Sequence, residues 1–555
     1  MTPADDFSTY YDDLLDGRYD CVDRLILNAY FTFGHNPGGF RQWWRALTGS
    51  DATLDNTHLM RMAARFARRV YAYAGANGIP VIHCDTKEHK HEIAEVAQPC
   101  DPTVSGLFLI LVARAKAPLW EITRKDDVIL NIKRKMSYVN HYYFHIQDPE
   151  WGHLCIKICG HPPFPATIIL NGHEWVEREA GRHGLAFTKE GNCFTDANNW
   201  NNLDQYADTL STTSAIGQLA EVIDRWLYSA CLNFALDQVE QEQTGFRYAF
   251  SCYQLEYSRN LLFQRGTDVD RVFQALIDRT RTTLDIKKVM HLFGAKHRPS
   301  RRRRSKRGRA GGSVPRLQYT IERPTHDLTV FKVHFGLLTL KIYAKGERVL
   351  RVEAVAHNVK ALKQGKVLSQ LPALVTTLQG MAIRFLDVLR AAHPATFDAA
   401  VATALARPSQ VGAQRLAGID IRALRTRAVL HALFALGISP TGFAVRDLAQ
   451  TVRSQMGWDA DQYTIRHAAY DFKKLRGKGL ITQIARKRRY QLDLSNAPVA
   501  YATLVLHEQV FCPILSGVAH HDAMAKREPQ HEIDRHYETV WDALHATMQA
   551  VGIAA

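Results

Sequence analysis

The 555-residue sequence contains no run approaching 18 consecutive apolar residues, so we expect no transmembrane helix and no membrane partner. Its first residues, MTPADDFSTYYDDLLDG, are acidic and polar, unlike the basic and then apolar start of a secretory signal peptide. The nine cysteines are scattered and odd in number. Together these absences predict a reduced protein of the cytoplasm rather than a disulfide-bonded secreted one.

Several motifs of common enzyme classes are also missing. The sequence has no Walker phosphate-binding loop, no glycine-rich dinucleotide fingerprint and no nucleophile elbow of a serine hydrolase. These absences argue against the corresponding nucleotide hydrolases, dehydrogenases and esterases. Hydrophobic content of 46% and charged content of 23% are ordinary for folded proteins, and the length predicts about three or four domains.

The positive charge of the chain is concentrated in two short segments. The formal net charge is +15. Residues 286–309 hold eleven Lys or Arg and no acid, whereas residues 466–489 hold nine against Asp471 alone. The two segments therefore carry +11 and +8, which leaves −4 for the rest of the chain. Charge concentrated in this way is typical of proteins that bind a polyanion, so we expect a nucleic-acid partner.

The spacing of apolar residues predicts a multidomain α+β protein. Residues 57–76 have the period of an amphipathic helix, and residues 104–113 form an apolar strand with PLWEIT as its hairpin partner. We predict an N-terminal α/β domain at 1–130, a β-rich region at 131–202, a helical region at 203–297, a basic flexible arm or linker at 298–315, a β-hairpin plus long helix domain at 316–405 and a linker at 406–420.

The segment 421–496 has the most diagnostic pattern, and a helical tail at 497–555 follows it. Three helices are predicted at 428–437, 443–456 and 463–479, and a basic hairpin at 480–494. Thr464 is placed to cap the third helix. The apolar stripe of that helix is Ile465, Ala468, Ala469, Phe472 and Leu475. Three helices followed by a basic hairpin make a winged helix-turn-helix, and this layout, with the run from LRGKGLI to RRYQL, resembles bacterial regulators of the MarR type.

The resemblance implies that the third helix enters the major groove of DNA while the wing contacts neighbouring phosphates. A winged helix that mediates only protein contacts is the alternative. The residues expected to contact nucleic acid are Arg466, Lys473, Lys474, Arg476, Arg486, Lys487, Arg488 and Arg489.

The basic arm has a second cluster of residues suited to phosphates. Four consecutive arginines are hard to keep away from a nucleic-acid backbone, although a solvated linker is the alternative. The residues in question are Arg301, Arg302, Arg303, Arg304, Lys306, Arg307 and Arg309.

The stretch 338–358 is the first candidate for catalysis. In a hairpin that turns at Gly346, its polar side chains would lie close together; they are Tyr343, Lys345, Glu347, Arg351 and Glu353. Tyr-x-Lys followed by Leu-Arg-x-Glu resembles a stretch of the rolling-circle replication initiators of phages and plasmids. That resemblance implies a tyrosine nucleophile, a divalent ion (Mg²⁺ or Mn²⁺) bound by Glu353, and phosphate contacts from Lys345 and Arg351. An ordinary hairpin with cross-strand ion pairs is the alternative.

Histidines near residue 140 are candidate metal ligands. His141 and His145 alternate along a predicted strand and share one face, so they are expected to join Glu353 as ligands. Initiator nucleases separate their two histidines by one residue, whereas three intervene here. The segment HCDTKEHKHE at 83–92 also contains a Glu-x-Lys unit and several potential ligands. Buried histidines bonded to backbone, and a charged surface loop, are the alternatives.

Three functions follow from these observations. The first is a DNA-binding protein of a mobile or replicating element, associated with the nucleoid, which nicks or recombines DNA if it is an enzyme. The second is a non-catalytic RNA-binding protein of a ribonucleoprotein, and the third a transcriptional regulator; a homodimer is compatible with each. The runs DRLILNAYF, NHYYFHIQDPEWG and NGHEW also resemble an uncharacterised group of bacterial proteins of mobile-element type.

Overall fold

The structure is a computed structural model, and the chain divides in it into two compact units. Unit 1 comprises residues 1–4, 11–271 and 321–382, and unit 2 comprises 5–10, 272–320 and 383–555. The residues that the structure describes are 5–85, 88–99, 101, 104–125, 128–211, 213–283, 317–325, 328–391, 399–437, 439, 441–484, 488–508, 512 and isolated positions between 536 and 546.

The described part of the chain contains seventeen strands. They are β1 (Leu15–Phe31), β2 (Val81–Cys84), β3 (Gly106–Lys125), β4 (Val128–Asp148), β5 (Gly152–Cys159), β6 (Ala166–Leu170), β7 (Phe187–Lys189), β8 (Phe194–Ala197), β9 (Tyr248–Phe263), β10 (Leu317–Thr325), β11 (Leu328–Phe335), β12 (Leu338–Lys345), β13 (Val349–Ala356), β14 (Ser409–Val411), β15 (Gln414–Leu416), β16 (Ile481–Gln483) and β17 (Tyr490–Leu492).

Fifteen α-helices lie within the same described residues. They are α1 (Asp6–Tyr10), α2 (Pro37–Thr48), α3 (Asn56–Ala76), α4 (Lys90–Ala97), α5 (Gly172–Arg182), α6 (Trp200–Asp208), α7 (Thr213–Ile223), α8 (Gln238–Thr244), α9 (Gly266–Thr283), α10 (Leu371–Ala391), α11 (Ala399–Ala406), α12 (Leu424–Gly437), α13 (Val445–Met456), α14 (Ile465–Gly477) and α15 (Ala497–Leu506). The protein is therefore of mixed α+β class, as expected from the sequence.

Eleven strands form one sheet in the order β10-β11-β12-β13-β9-β1-β6-β5-β4-β3-β2. The pairs whose register is described run antiparallel, except for β2 and β3, which are parallel and are joined through α4. The N-terminal region therefore contains a parallel pair of strands, but the crossover helix is α4 and not the helix expected at 57–76, which is α3. None of the described helices is long and apolar enough to span a membrane.

Helix α3 packs against one face of this sheet, and α4 packs against the opposite face near Tyr143. Phe66 of α3 packs against Tyr142 and Phe144 of β4, with ring centroids 4.8 and 6.5 Å apart. The opposite face carries Tyr143, Lys157 and other half-buried side chains at the alternate positions. Because successive side chains of a strand point to opposite faces, the polar positions of several strands line up on this second face.

The sheet unites strands from four of the regions that the sequence separates. Strand β4 crosses the expected boundary at 130, and β9 runs through the region expected to be helical. Residues 104–113 and PLWEIT are not hairpin partners, because both belong to β3. Strand β9 is buried on both faces from Tyr257 to Phe263, so its sequence lacks the alternation of a half-buried strand. The expected arm at 298–315 lies outside the described residues.

Unit 2 contains α12, α13 and α14, followed by the hairpin of β16 and β17. Phe443, just before α13, forms an isolated antiparallel bridge with Tyr490 of β17. Two backbone hydrogen bonds of 2.8 Å hold this bridge. The expected linker at 406–420 contains a second hairpin, β14 and β15, which packs against α14.

Candidate functional site

Helix α14 presents a row of exposed basic and aromatic side chains. Arg466, Tyr470, Lys473 and Arg476 follow one another at intervals of three or four residues, so they lie on one face of the helix, and all four are exposed. The opposite face is buried through Ala468, Asp471, Phe472 and Leu475. Ile465 was expected in the buried stripe, but it is 45% exposed because it begins the helix outside the packed turns. The exposed row thus offers an uninterrupted strip to a ligand.

A partly buried ion pair holds the orientation of this helix. The Asp471 carboxylate accepts hydrogen bonds from Arg425 Nε of α12 at 2.9 Å and from Tyr463 Oη at 2.8 Å. Arg453 of α13 donates to the Tyr463 carbonyl at 2.7 Å. The predicted cap is confirmed, since Thr464 Oγ1 accepts from the backbone N–H of His467 at 3.2 Å. Contacts from two neighbouring helices therefore hold α14 rigidly.

The hairpin of β16 and β17 carries two described arginines that differ in their surroundings. Arg488 is exposed. Arg489 instead donates to the carbonyls of Thr441 at 2.9 Å and Gly442 at 2.5 Å, and lies 3.3 Å from Asp447. Its guanidinium is engaged within unit 2, so the expectation that Arg489 contacts nucleic acid is not supported by its contacts.

Other predicted contact residues differ in accessibility. Lys473 donates to Gln414 of β15 at 3.2 Å and remains exposed. Lys474 is half-buried, and this burial lowers the pKa of its ammonium. The predicted contact residues that lie outside the described residues are Arg301, Arg302, Arg303, Arg304, Lys306, Arg307, Arg309, Arg486 and Lys487.

The predicted catalytic hairpin exists as β12 and β13 in unit 1. Its register pairs Tyr343 with Arg351 and Lys341 with Glu353, which places these side chains on one face. Tyr343 Oη donates to one oxygen of Glu353, while Lys341 Nζ lies 2.5 Å from the other. Lys345 donates to the side-chain oxygen of Asn192. Four of the five predicted residues thus come together, whereas Glu347 lies in the exposed turn.

Arg351 is the centre of a fully buried polar cluster. Its Nε donates to Asn260 Oδ1 at 2.6 Å and its Nη2 to the Asn192 carbonyl at 2.5 Å. Asp23 Oδ1 lies 3.9 Å from Nη1, and His173 Nδ1 lies 3.0 Å from the same carboxylate oxygen. Burial would raise the pKa of Asp23, but Arg351 and His173 together hold it well below its ordinary range. Asp23 is therefore ionised against a permanently charged guanidinium.

The contacts of the hairpin do not favour a tyrosine nucleophile. Burial and then the Glu353 carboxylate raise the pKa of Tyr343 well above its ordinary range, although Arg351 opposes the effect. An activated nucleophile needs a lowered pKa or an adjacent base ready to take its proton. Both oxygens of Glu353 already accept hydrogen bonds from Tyr343 and Lys341. These side chains have the contacts of a structural ion-pair network.

The predicted metal ligands do not lie together. His141 and His145 are on β4 and Glu353 is on β13, which are five strand steps apart in the sheet. At about 4.8 Å per step, this separation is roughly 24 Å. The three residues cannot bind one ion. Burial also lowers the pKa of His141 to about 4 and that of His145 to about 3, so both are neutral histidines in a packed sheet.

The segment HCDTKEHKHE gives one group of potential ligands within the described residues. His89, His91 and Glu92 have ligand atoms within 4.8 Å of one another at the start of α4. All three side chains are more than half exposed. Exposed groups of this kind commonly remain solvated without binding an ion.

A second buried carboxylate, Asp20, lies on the other face of β1. Its Oδ1 is 3.6 Å from Arg259 Nε, and its Oδ2 accepts from Tyr257 Oη at 2.6 Å. Burial raises the pKa of Asp20 to about 6, although Arg259 and Tyr257 both lower it. Burial raises the pKa of both buried aspartates of β1, but Arg351 and His173 outweigh it at Asp23, whereas Arg259 and Tyr257 do not outweigh it at Asp20.

The raised pKa of Asp20 predicts a pH dependence of stability. Because this pKa exceeds the ordinary unfolded value of about 3.9, protonation favours the fold. The stabilisation of the fold by protonated Asp20 is complete below about pH 4 and is lost as the pH rises through 6. A shift of roughly two units corresponds to about 3 kcal/mol. We therefore compare the free energy of unfolding of the wild type with that of Asp20→Asn. The wild-type value minus the variant value should fall by up to about 3 kcal/mol between about pH 4 and pH 7.

Urea unfolding at several pH values measures this difference, and Asp16→Asn is the control for loss of one carboxylate at an exposed position. A difference that stays level across this pH range would show that Asp20 does not titrate in the folded protein.

The sequence has one pattern that indicates the buried clusters around Asp20 and Asp23, although it was not among the expectations above. Strand β1 reads YDCVDRLIL, so two aspartates interrupt an otherwise apolar strand. Buried carboxylates need cationic or donor partners, which predicts buried arginines on the neighbouring strands. The identity of those partners depends on pairing between β1, β9 and β13.

Comparison with protein-family models, with curated proteins and with solved structures finds no match to this chain.

Proposed function

We propose that this protein binds double-stranded DNA through α14, and that the segment from α12 to β17 acts as a winged helix-turn-helix. The observation that carries the proposal is the exposed row of Arg466, Tyr470, Lys473 and Arg476 on a helix whose opposite face is buried. A single α-helix fits the major groove of B-form DNA, and side chains near its N-terminal end reach base edges.

The arrangement around α14 supports this proposal. A helix, a short bridge at Phe443, two further helices and a two-stranded hairpin follow one another along the chain. Arg488 on that hairpin is exposed and can reach a phosphate beside the groove. DNA is favoured over duplex RNA, because the major groove of RNA is too deep and narrow for a helix to enter. Association with the nucleoid would follow from such binding.

Selection from randomised duplex DNA tests the proposal, with randomised RNA processed in parallel. The full-length protein should enrich a short duplex DNA motif. Replacing Arg466 by alanine should relax the preference at about one or two base pairs and weaken binding by roughly 1–3 kcal/mol, or about 5- to 150-fold, because this residue lies in the first turn of α14.

Arg422→Ala is the matched control, since Arg422 is an arginine of unit 2 whose side chain is 84% exposed and paired with Asp420. It should change neither the motif nor the affinity by more than about twofold. Enrichment of RNA rather than DNA, or an unchanged motif with Arg466→Ala, would overturn the proposed mode of binding.

A further inference from the structure

The pairing of β3 and β4 extends far beyond the rest of the sheet. The two strands are paired from Gly106 with Gln147 to Lys125 with Val128. By contrast, β2 pairs with β3 only at residues 81–84 and 110–113, and β5 pairs with β4 only from residue 141 onward. Residues 114–125 and 128–139 therefore form a two-stranded ribbon in unit 1, which was not expected from the sequence.

The ribbon is anchored near its turn. On one face, Trp120 is buried and its Nε1 donates to the Gly34 carbonyl at 2.9 Å. The Trp120 ring lies 5.7 Å from that of Phe40 of α2, and the Arg134 guanidinium lies 4.8 Å from the Trp120 ring. These contacts hold the ribbon in a fixed position, so side chains on the rest of this face are presented on a rigid support.

The remaining part of the same face is exposed, aromatic and basic. The register places Lys116 opposite Tyr138 and Pro118 opposite Met136. Tyr138 is 57% exposed and Met136 is 60% exposed. Lys116 Nζ lies 5.1 Å from the centre of the Tyr138 ring.

Arg114 continues the face and is also exposed. The residues that form this ribbon patch are Arg114, Lys116, Pro118, Met136 and Tyr138, and none of them is acidic.

This combination matches one ligand chemistry. Unpaired bases stack on exposed aromatic rings, while neighbouring cations neutralise the phosphates of the same strand. A single exposed apolar residue needs no explanation, but an exposed ring with a lysine beside it and two further apolar side chains forms a stacking surface. Duplex DNA offers no free base faces, so the patch fits a single strand better than the ligand proposed for α14.

We propose that the ribbon patch binds single-stranded nucleic acid, with a base stacked on Tyr138 and phosphates held by Arg114 and Lys116. This binding is separate from duplex binding by α14 and does not depend on it. Stacking on an aromatic side chain contributes about 1–3 kcal/mol per base.

Photo-crosslinking of the full-length protein locates the binding directly. Oligonucleotides of about twelve nucleotides, containing 5-iododeoxyuridine or 5-iodouridine, should crosslink to the peptide that contains Tyr138, whatever the basic segments elsewhere bind. Comparison of the two probes shows whether single-stranded DNA or single-stranded RNA is preferred. Absence of a crosslink within residues 114–139 for both probes would overturn the proposal.

Affinity measurements by fluorescence anisotropy provide the second readout. Tyr138→Ala should weaken binding of the oligonucleotide by roughly 5- to 150-fold, whereas Tyr138→Phe should restore most of the affinity because a phenyl ring also stacks. Lys116→Gln should lower the salt slope by about 0.7. Tyr253→Ala is the matched control, since Tyr253 is 40% exposed on β9, four strand steps from β4.

An equal loss with Tyr253→Ala would contradict the inference, as would unchanged affinity with Tyr138→Ala. Binding to vesicles containing anionic lipid, lost with Tyr138→Ala in the absence of oligonucleotide binding, would also overturn it and identify a lipid surface instead. Selection of duplex DNA by α14 should be unaffected in each ribbon variant, so failure of one proposal leaves the other testable.

Discussion

Replacing Arg351 by methionine should lower the free energy of unfolding of unit 1 by about 3–5 kcal/mol, the usual cost of removing one partner from a buried ion pair. The side chain is fully buried, and the Asp23 carboxylate would lose the cation that keeps it ionised. Asn260 Oδ1 and the Asn192 carbonyl would lose their donors as well. Such a loss is a large fraction of the stability of a typical domain.

Urea unfolding followed by tryptophan fluorescence measures this change. Seven of the nine tryptophans belong to unit 1, so the signal reports mainly on that unit. Arg348→Met is the matched control: this arginine is half-buried, and its Nη1 lies 3.6 Å from Asp16 at the protein surface. An exposed pair of this kind contributes about 0–1 kcal/mol.

A double substitution separates the ion pair from simple packing. Removing the charge of Asp23 as well, in Arg351→Met with Asp23→Asn, should recover part of the loss, because no uncompensated charge then remains buried. A loss below about 1 kcal/mol for Arg351→Met alone would show that the cluster is not the structural ion pair inferred from its contacts.

Local patterns in the sequence predicted individual elements better than their assembly. Helix α3 was expected at 57–76 and occupies Asn56–Ala76, because its apolar spacing is amphipathic. The turn at Gly346 also predicted the β12–β13 hairpin. The run PLWEIT, which begins at Pro118, was expected to be a separate hairpin strand. In the structure Pro118 lies within β3, where this strand pairs with β4 alone and its other edge pairs with no described strand; a proline is tolerated at such an edge position.

Long-range pairing accounts for what sequence reasoning missed in the candidate sites. His173 and Arg351 are 178 residues apart, and they meet only because α5 lies beside β1 while β9 joins β1 to β13. Periodicity reports whether a residue is buried but not which distant strand lies beside it. For the same reason, the proposed metal site combined residues of β4 and β13 that the strand order separates.

The position of helix α14 and its exposed basic row could be predicted from the spacing of residues within the segment itself. The DNA binding proposed for this helix can be tested with two triple variants that remove the same charge. Removing Arg466, Lys473 and Arg476 together, each by alanine, should weaken binding of the full-length protein to its selected duplex by about 3 kcal/mol or more, which is at least roughly 100-fold. Each phosphate contact that is lost should also reduce the salt slope of log K by about 0.9. All three side chains are exposed, so the fold should be unaffected.

The control is Arg61→Ala, Arg68→Ala and Arg422→Ala combined, which removes three positive charges from exposed residues that do not belong to α14. Both triple variants lower the net charge of the protein from +15 to +12. If binding came mainly from long-range attraction between this net charge and DNA, both variants would weaken it equally. If α14 contacts the DNA, the control should keep nearly the full salt slope, whereas the α14 variant should lose up to about 1.8 of it through the phosphate contacts of Lys473 and Arg476. The slope therefore distinguishes the two explanations even where the affinities differ little, because it counts the phosphates that the protein neutralises.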